Sequence, residues 1–262
     1  MVVIDKISCI GCGQCEKDCF GHNISLKEGK AHIIGNCFEC GHCVAICPVN
    51  AAKIQGDTED EIQTENRKAE EFLNLIKNRR SIRYYKDQPV SNEQIRLVLE
   101  AGRYTPTAGN AQDVTYTVVS KKLPEVKPYI WRGLLQFGKK MKEIDPDSMY
   151  DSLWSRMYTQ CCRTRGKEDH LFFNAPVLLI VAAKTSVNGI LAADSIELMA
   201  NTLGLGCLYS GFIERGLKES SEALELLNLK KEDICICMLM GYPDISYQRP
   251  APRKPAVIYW KE

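Results

Sequence analysis

Thirteen cysteines are spread unevenly over 262 residues, and eight of them lie between Cys9 and Cys47. They form two sets, Cys9, Cys12, Cys15, Cys19 and Cys37, Cys40, Cys43, Cys47, the second displaced from the first by 28 residues at every member. Each set reads C-x2-C-x2-C-x3-C, so the segment is an internal repeat. Three thiolates at that spacing can wrap three corners of an iron–sulfur cubane and leave a displaced fourth cysteine. Other uses of cysteine fit less well. A zinc site needs four ligands and tolerates looser spacing. A disulfide scaffold needs an oxidising compartment, and Met1-Val2-Val3-Ile4-Asp5 is too short and too soon charged to read as a signal peptide. Gly11, Gly13 and Gly41 suit backbone that passes close to a cluster and donates N–H groups to sulfur.

With Pro48 following the last cysteine, residues 1 to about 56 resemble a bacterial-type two-cluster ferredoxin. Phe20 stands where the first half of that family's motif has proline. In such ferredoxins the displaced cysteine ligates the other cluster. The resemblance therefore implies one [4Fe–4S] cluster on Cys9, Cys12, Cys15 and Cys47, and another on Cys37, Cys40, Cys43 and Cys19. Residues 1–56 carry five basic and five acidic side chains. That neutrality gives little long-range steering to a separate partner and fits an electron partner on the same chain.

Three later groups could hold a phosphorylated planar cofactor. Arg79-Arg80-Ser81-Ile82-Arg83 brings three guanidinium groups and a hydroxyl within five residues, a set suited to forked, charge-assisted bonds with a phosphate. Pro106-Thr107-Ala108-Gly109-Asn110-Ala111-Gln112 has small residues that admit a ring close to the backbone, and Asn110 can donate and accept. Leu203 to Phe212 closes a helical stretch in a glycine-rich turn containing Leu208, Ser210 and Gly211. Each group alone has a plainer explanation: a solvated basic helix end, a loop and a glycine cap.

In this order and at these separations, with Asn174-Ala175-Pro176-Val177 and Arg253-Lys254-Pro255, residues 66–262 resemble the nitroreductase flavoprotein family. The resemblance implies an α+β sandwich and an intertwined homodimer with FMN at the subunit interface. It implies that Arg79, Arg80, Ser81 and Arg83 hold the phosphate, ribityl chain and pyrimidine edge, with Arg253 adding a phosphate contact. Pro106, Thr107, Ala108 and Asn110 would come from the other subunit, and Leu208, Ser210 and Gly211 would line the ring near N5. Many members carry an acidic residue where this chain has Ser210.

The elements that must position these groups follow from patterning. Residues 57–68 are polar and acid-rich and read as a linker, giving domains at 1–56 and 69–262. Ala69, Phe72, Leu73 and Ile76 have helical spacing; Ser91 and Gln94 form a capping box ahead of Ile95, Val98, Leu99 and Gly102. Strand signals are 115–120, 176–183, 234–240 and a short fourth at 257–260. The stretch 190–203 has apolar residues on several faces and reads as a helix buried all round, in a core or a subunit interface. Residues 128–170 are mixed and aromatic and match no known segment. The expected fold is α+β, with helices on a mainly antiparallel or mixed sheet. Cys235 and Cys237 fall on one strand face, Cys161-Cys162 reads as a loop pair, and Cys207 as packing. His22, His32, His42 and His170 show no metal spacing.

A net charge of +1 and a pI of about 7.4 give no electrostatic footprint for nucleic acid. No apolar run approaches the roughly 20 residues that cross a bilayer, and a cytoplasmic protein is expected. The functional expectation is an FMN-dependent oxidoreductase. An external low-potential donor feeds it through the two clusters, and it reduces a small electron-poor substrate such as a nitroaromatic, quinone or enone. FMN itself carries the chemistry, so no catalytic side chain is expected. The alternatives are a redox sensor or relay without small-molecule turnover, and another flavin reaction such as reductive dehalogenation.

Overall fold

A computed structural model describes residues 1–19, 21–55, 69–248, 250–251 and 253–261. The expected linker, 57–68, and Phe20 lie outside the described residues. The chain divides into two compact units. One takes the described residues of Met1–Asn66 together with Thr107–Ala111; the other takes those of Arg67–Pro106 and Gln112–Glu262.

The 28-residue repeat of the first unit is visible in its backbone. Helix α1 (Gln14–Asp18) follows Gly13 at φ 75°, and α2 (His42–Ile46) follows Gly41 at φ 77°. Both glycines occupy the left-handed region, open to them for want of a Cβ. Strand β1 (Val2–Ile4) pairs antiparallel with β4 (Ala52–Ile54), while β2 (Ile24–Lys27) and β3 (Lys30–Ile33) form a hairpin. Gly11, at φ 68°, lies against Gly29 so closely that a Cβ would overlap the Gly29 carbonyl. The core is small, Val2, Ile24, Ala31, Ala51 and Ala52, and Cys9 and Cys43 are buried within it.

The second unit is a four-stranded sheet, all antiparallel, covered by helices on both faces. Its strands are β5 (Thr115–Val119), β6 (Val177–Ala182), β7 (Gly206–Tyr209) and β8 (Ile234–Gly241), in spatial order β5-β6-β8-β7. Its helices are α3 (Ala69–Asn78), α4 (Asn92–Arg103), α5 (Leu123–Ile144), α6 (Tyr150–Arg163), α7 (Ser186–Thr202), α8 (Gly211–Glu219) and α9 (Ser221–Leu226). Alternation divides the core in two. Leu178, Ile180, Cys237 and Leu239 face Ile130 and Leu134 of α5, Trp154 of α6, and Ile213 and Leu217 of α8. Val177, Leu179, Val181, Met238 and Met240 face Ile95 and Val98 of α4, and Ala193, Ile196 and Ala200 of α7. That two-sided burial is why β6 reads as a continuous apolar run.

The capping box forms as expected: Ser91 Oγ accepts from Gln94 N–H, and the Gln94 side chain accepts from Ser91 N–H. Residues 128–170 resolve into most of α5 and all of α6, so Cys161-Cys162 sits on a helix, not in a loop. Two further expectations are corrected. Val257–Trp260 is not a strand: it has no ladder partner among the described residues, and its four side chains are exposed. Helix α7 is buried on its sheet side, while in the single chain Val187, Ile190 and Leu191 lie on an open face. The glycine-rich turn after α7 contains a strand, since Gly204 at φ 71° caps the helix and β7 follows within two residues. Among the described residues no helix is long and apolar enough to cross a membrane.

Helices α5 and α8 meet backbone to backbone at Gly133 and Gly216: a Cβ on Gly133 would overlap the Gly216 carbonyl, and one on Gly216 the Ile130 carbonyl. Backbone cannot swing aside as a side chain can, so Gly133→Ala is expected to destabilise by about 1–3 kcal/mol. Thermal or denaturant unfolding measures this, and an unchanged midpoint would contradict so close a crossing.

Candidate functional site

The first unit gathers its eight repeat cysteines around two cavities, and the grouping crosses the repeat. Cys9, Cys12, Cys15 and Cys47 line one cavity, with Ile4, Leu26 and Ala52 among its other walls. Cys19, Cys37, Cys40 and Cys43 line the other. Backbone N–H groups point at sulfur in both: Ala31 to Cys9 at 3.5 Å, Ala51 to Cys47 at 3.2 Å, Asn23 to Cys19 at 3.3 Å and Glu39 to Cys37 at 3.3 Å. The Asn23 and Ala51 bonds are equivalent under the repeat, each four residues beyond its cysteine.

The thiols feel one another. Burial pushes Cys43 up to about 11, reinforced by Cys37, Cys40 and Cys15. Burial raises Cys15 as well, with Cys12 and Cys47 adding repulsion. Cys9 is lowered by the N–H groups of Ala31 and Gly11, helped by Lys30 and Lys6. At Cys47 burial opposes ionisation, but N–H donation from Val49, Ala52 and Ala51 outweighs it. Neighbouring thiolates that repel one another in protein alone become compatible when cationic iron lies among them. Among the described residues no group of three His, Cys, Asp or Glu side chains is placed to hold one metal ion. A cubane needs its thiolates spread around a cage, so four sulfurs around each cavity, several of them facing N–H donors, fit a cluster better than a lone ion.

In the second unit the residues Arg79–Arg83 leave α3 and run along β7. Ile82 N–H donates to the Cys207 carbonyl at 2.9 Å. Ile82 is buried against Gly206, where a Cβ would strike the isoleucine side chain. This seating brings the arginine segment beside the strand that contains Leu208 and leads into Ser210 and Gly211. Arg79 Nη1 lies 3.1 Å from Oε2 of the buried Glu197 on α7. Arg80 covers the Tyr247 ring, 4.9 Å from its centroid, while Ser81, Arg83 and Gly211 are exposed. Leu208 and Ser210 are buried. The Ser210 hydroxyl accepts from Ile213 N–H at 3.3 Å and so caps α8.

Pro106 lies exposed in the second unit and Arg253 in its exposed C-terminal stretch. Thr107, Ala108 and Asn110 fall in the first unit, where Asn110 Nδ2 donates to the Phe38 and Glu39 carbonyls at 3.2 Å each. Glu197 escaped the sequence reading. Its one signal is an acidic residue within the apolar helix Ser186–Thr202. Burial drives Cys207 and Cys237 far above the ordinary thiol range, so both are inert packing.

An antiparallel sheet flanked by helices, with a basic segment seated on its edge strand, defines an α+β enzyme scaffold joined to a cysteine-repeat electron-transfer unit. Residues 76–242 match the nitroreductase family, and the chain belongs to it. Residues 8–52 match a 4Fe-4S dicluster domain, so the protein is an oxidoreductase of that family with an N-terminal ferredoxin domain. An NADPH-dependent oxidoreductase of Staphylococcus saprophyticus is 25% identical over 71% of this chain and 71% of its own length. A putative NADH dehydrogenase/NAD(P)H nitroreductase of Archaeoglobus fulgidus is 27% identical over 66% of this chain and 86% of its own. Among solved structures, an FMN-bound nitroreductase of Desulfitobacterium hafniense shares the fold at a TM-score of 0.57 and 21% identity, over 73% of this chain and 98% of its own.

Burial raises the Glu197 carboxyl above the ordinary range, although Arg79 and Tyr209 pull it down. A raised pKa means that the native state binds this proton more tightly than the unfolded chain, so the contribution to stability falls as pH rises through that range. Glu197→Gln is therefore expected to gain more over wild type at pH 8 than at pH 5 in thermal unfolding; an equal difference at both would contradict it. Ser210→Ala is expected to cost about 1 kcal/mol through the lost helix cap.

Proposed function

We propose that the protein binds one FMN per chain and two [4Fe–4S] clusters, and that it reduces a small electron-poor organic molecule with electrons from a low-potential donor. The observation that carries the flavin half is the seating of Arg79–Arg83 on β7, fixed by the Ile82–Cys207 bond. It sets guanidinium groups beside a strand end whose Gly211 opens a helix N-terminus. That combination suits a phosphate and a reduced, anionic ring. Arg79, Arg80, Ser81 and Arg83 would hold the phosphate, ribityl chain and pyrimidine edge, with Arg253 as a further phosphate contact. Leu208, Ser210 and Gly211 would line the ring, and Pro106, Thr107, Ala108 and Asn110 would come from the other subunit.

For the cysteine half, Cys9, Cys12, Cys15 and Cys47 would hold one cluster, and Cys37, Cys40, Cys43 and Cys19 the other. The crossed grouping of the cavities supports that assignment. When bound, the clusters supply electrons singly and FMN pairs them for transfer to substrate. The side chains bind, orient and balance charge. The FMN-bound relative and the NAD(P)H-linked ones support a redox flavin reading. The substrate class is a nitroaromatic, quinone or enone, and the reaction is cytoplasmic.

We also propose a homodimer with FMN at its interface. Phe72, Leu73 and Ile76 of α3 are partly open, as are Val187, Ile190 and Leu191 of α7 and Val257–Trp260, with Trp260 80% exposed. So much apolar surface is what a second copy of the chain would cover. Sedimentation should give twice the 29.5 kDa chain mass, and a monomer would reject the dimer. Cys12→Ser should remove one cluster and slow flavin reduction by a low-potential donor; unchanged reduction would reject the internal electron route.

A further inference from the structure

The two cysteine cavities have unequal walls. The one lined by Cys9, Cys12, Cys15 and Cys47 is built from residues between Ile4 and Ala52. The other, at Cys19, Cys37, Cys40 and Cys43, is completed by Gly109 and Asn110, about seventy residues downstream of its cysteines. Asn110 does more than fill space. Its Nδ2 lies 3.2 Å from both the Phe38 and Glu39 carbonyls, the two peptide oxygens between Cys37 and Cys40. Both partners only accept, so the amide must present its two N–H hydrogens to them and turn its oxygen away. Asn110 stands at φ 54° and Gly109 at φ 59°, and asparagine is among the few side-chain residues that adopt this region readily. Phe38 and Cys40 are exposed, and the loop's other ties are the Glu39 N–H to Cys37 Sγ and the ion pair of Glu39 with the Met1 ammonium.

We propose that Asn110 is a positioning residue of the second cysteine site, the one lined by Cys19, Cys37, Cys40 and Cys43. The proposal rests on the reading that this site holds a [4Fe–4S] cluster.

The test is an anaerobic potentiometric titration of the full-length holoprotein followed by EPR, with the two cluster signals assigned by Cys12→Ser and Cys40→Ser. Removing two N–H dipoles beside a cluster disfavours its reduced, more negative form. Asn110→Ala should therefore move the Cys40-dependent signal to a more negative potential and leave the Cys12-dependent one in place. Asn110→Asp, which keeps the shape but replaces a donor by an anion, should move it further in the same direction. Unmoved potentials, or equal shifts of both signals, overturn the positioning role. A protein lacking any Cys40-dependent signal would defeat the cluster reading and the positioning role with it.

Discussion

The nitroreductase-family half of this protein hangs on the edge of one sheet. Strand β7 is only four residues long, yet its outer edge accepts the Ile82 N–H through the Cys207 carbonyl. Gly206 leaves room for the Ile82 side chain. Without that seat, three arginines after a helix would be a solvated basic run. With it, they stand beside Leu208 and Ser210. The strand is held in turn by β8 and by the Ser210 N–H to the Cys237 carbonyl at 2.9 Å. Core packing, edge pairing and the candidate cofactor site are therefore one structure.

The cysteine unit is built on another principle. Its apolar core consists largely of alanines and short strands, too little buried surface to hold so small a fold firmly. Sulfur occupies the places where larger side chains would pack. Burial and mutual repulsion raise Cys15 and Cys43, which works against ionised thiols in the protein alone. Iron would reverse that sign, because a coordinated thiol is deprotonated and its charge balanced. Metal loading and folding of this unit are therefore expected to be coupled.

Features written in local spacing were legible in the sequence. The cysteine repeat, the Ser91–Gln94 cap, the run 177–182 and the helical periodicities of α3 and α4 each follow from neighbours in the chain. Strand β7 was not, because it lies where a glycine cap explains the same residues. Val257–Trp260 has strand composition but no ladder to join, and composition alone does not supply a partner. The helix pattern of α7 hid both an open apolar face and the buried Glu197, which faces Arg79 through a long-range contact. Residues 107–111 read as a loop beside α4; that Asn110 reaches the Phe38 and Glu39 carbonyls is a tertiary fact with no local signature. Ser210 replaces an acidic residue common in the family, and its cap on α8 gives the hydroxyl a structural role there.

A chain proposed to store electrons on two clusters and pass them through one flavin must carry all three groups at once. The most direct measurement is the anaerobic visible spectrum of the purified protein with iron, sulfide and FMN counted per chain. About eight irons, with matching sulfide, and one FMN are expected. Fewer than four irons per chain, or no FMN, would contradict the two-cluster flavoprotein.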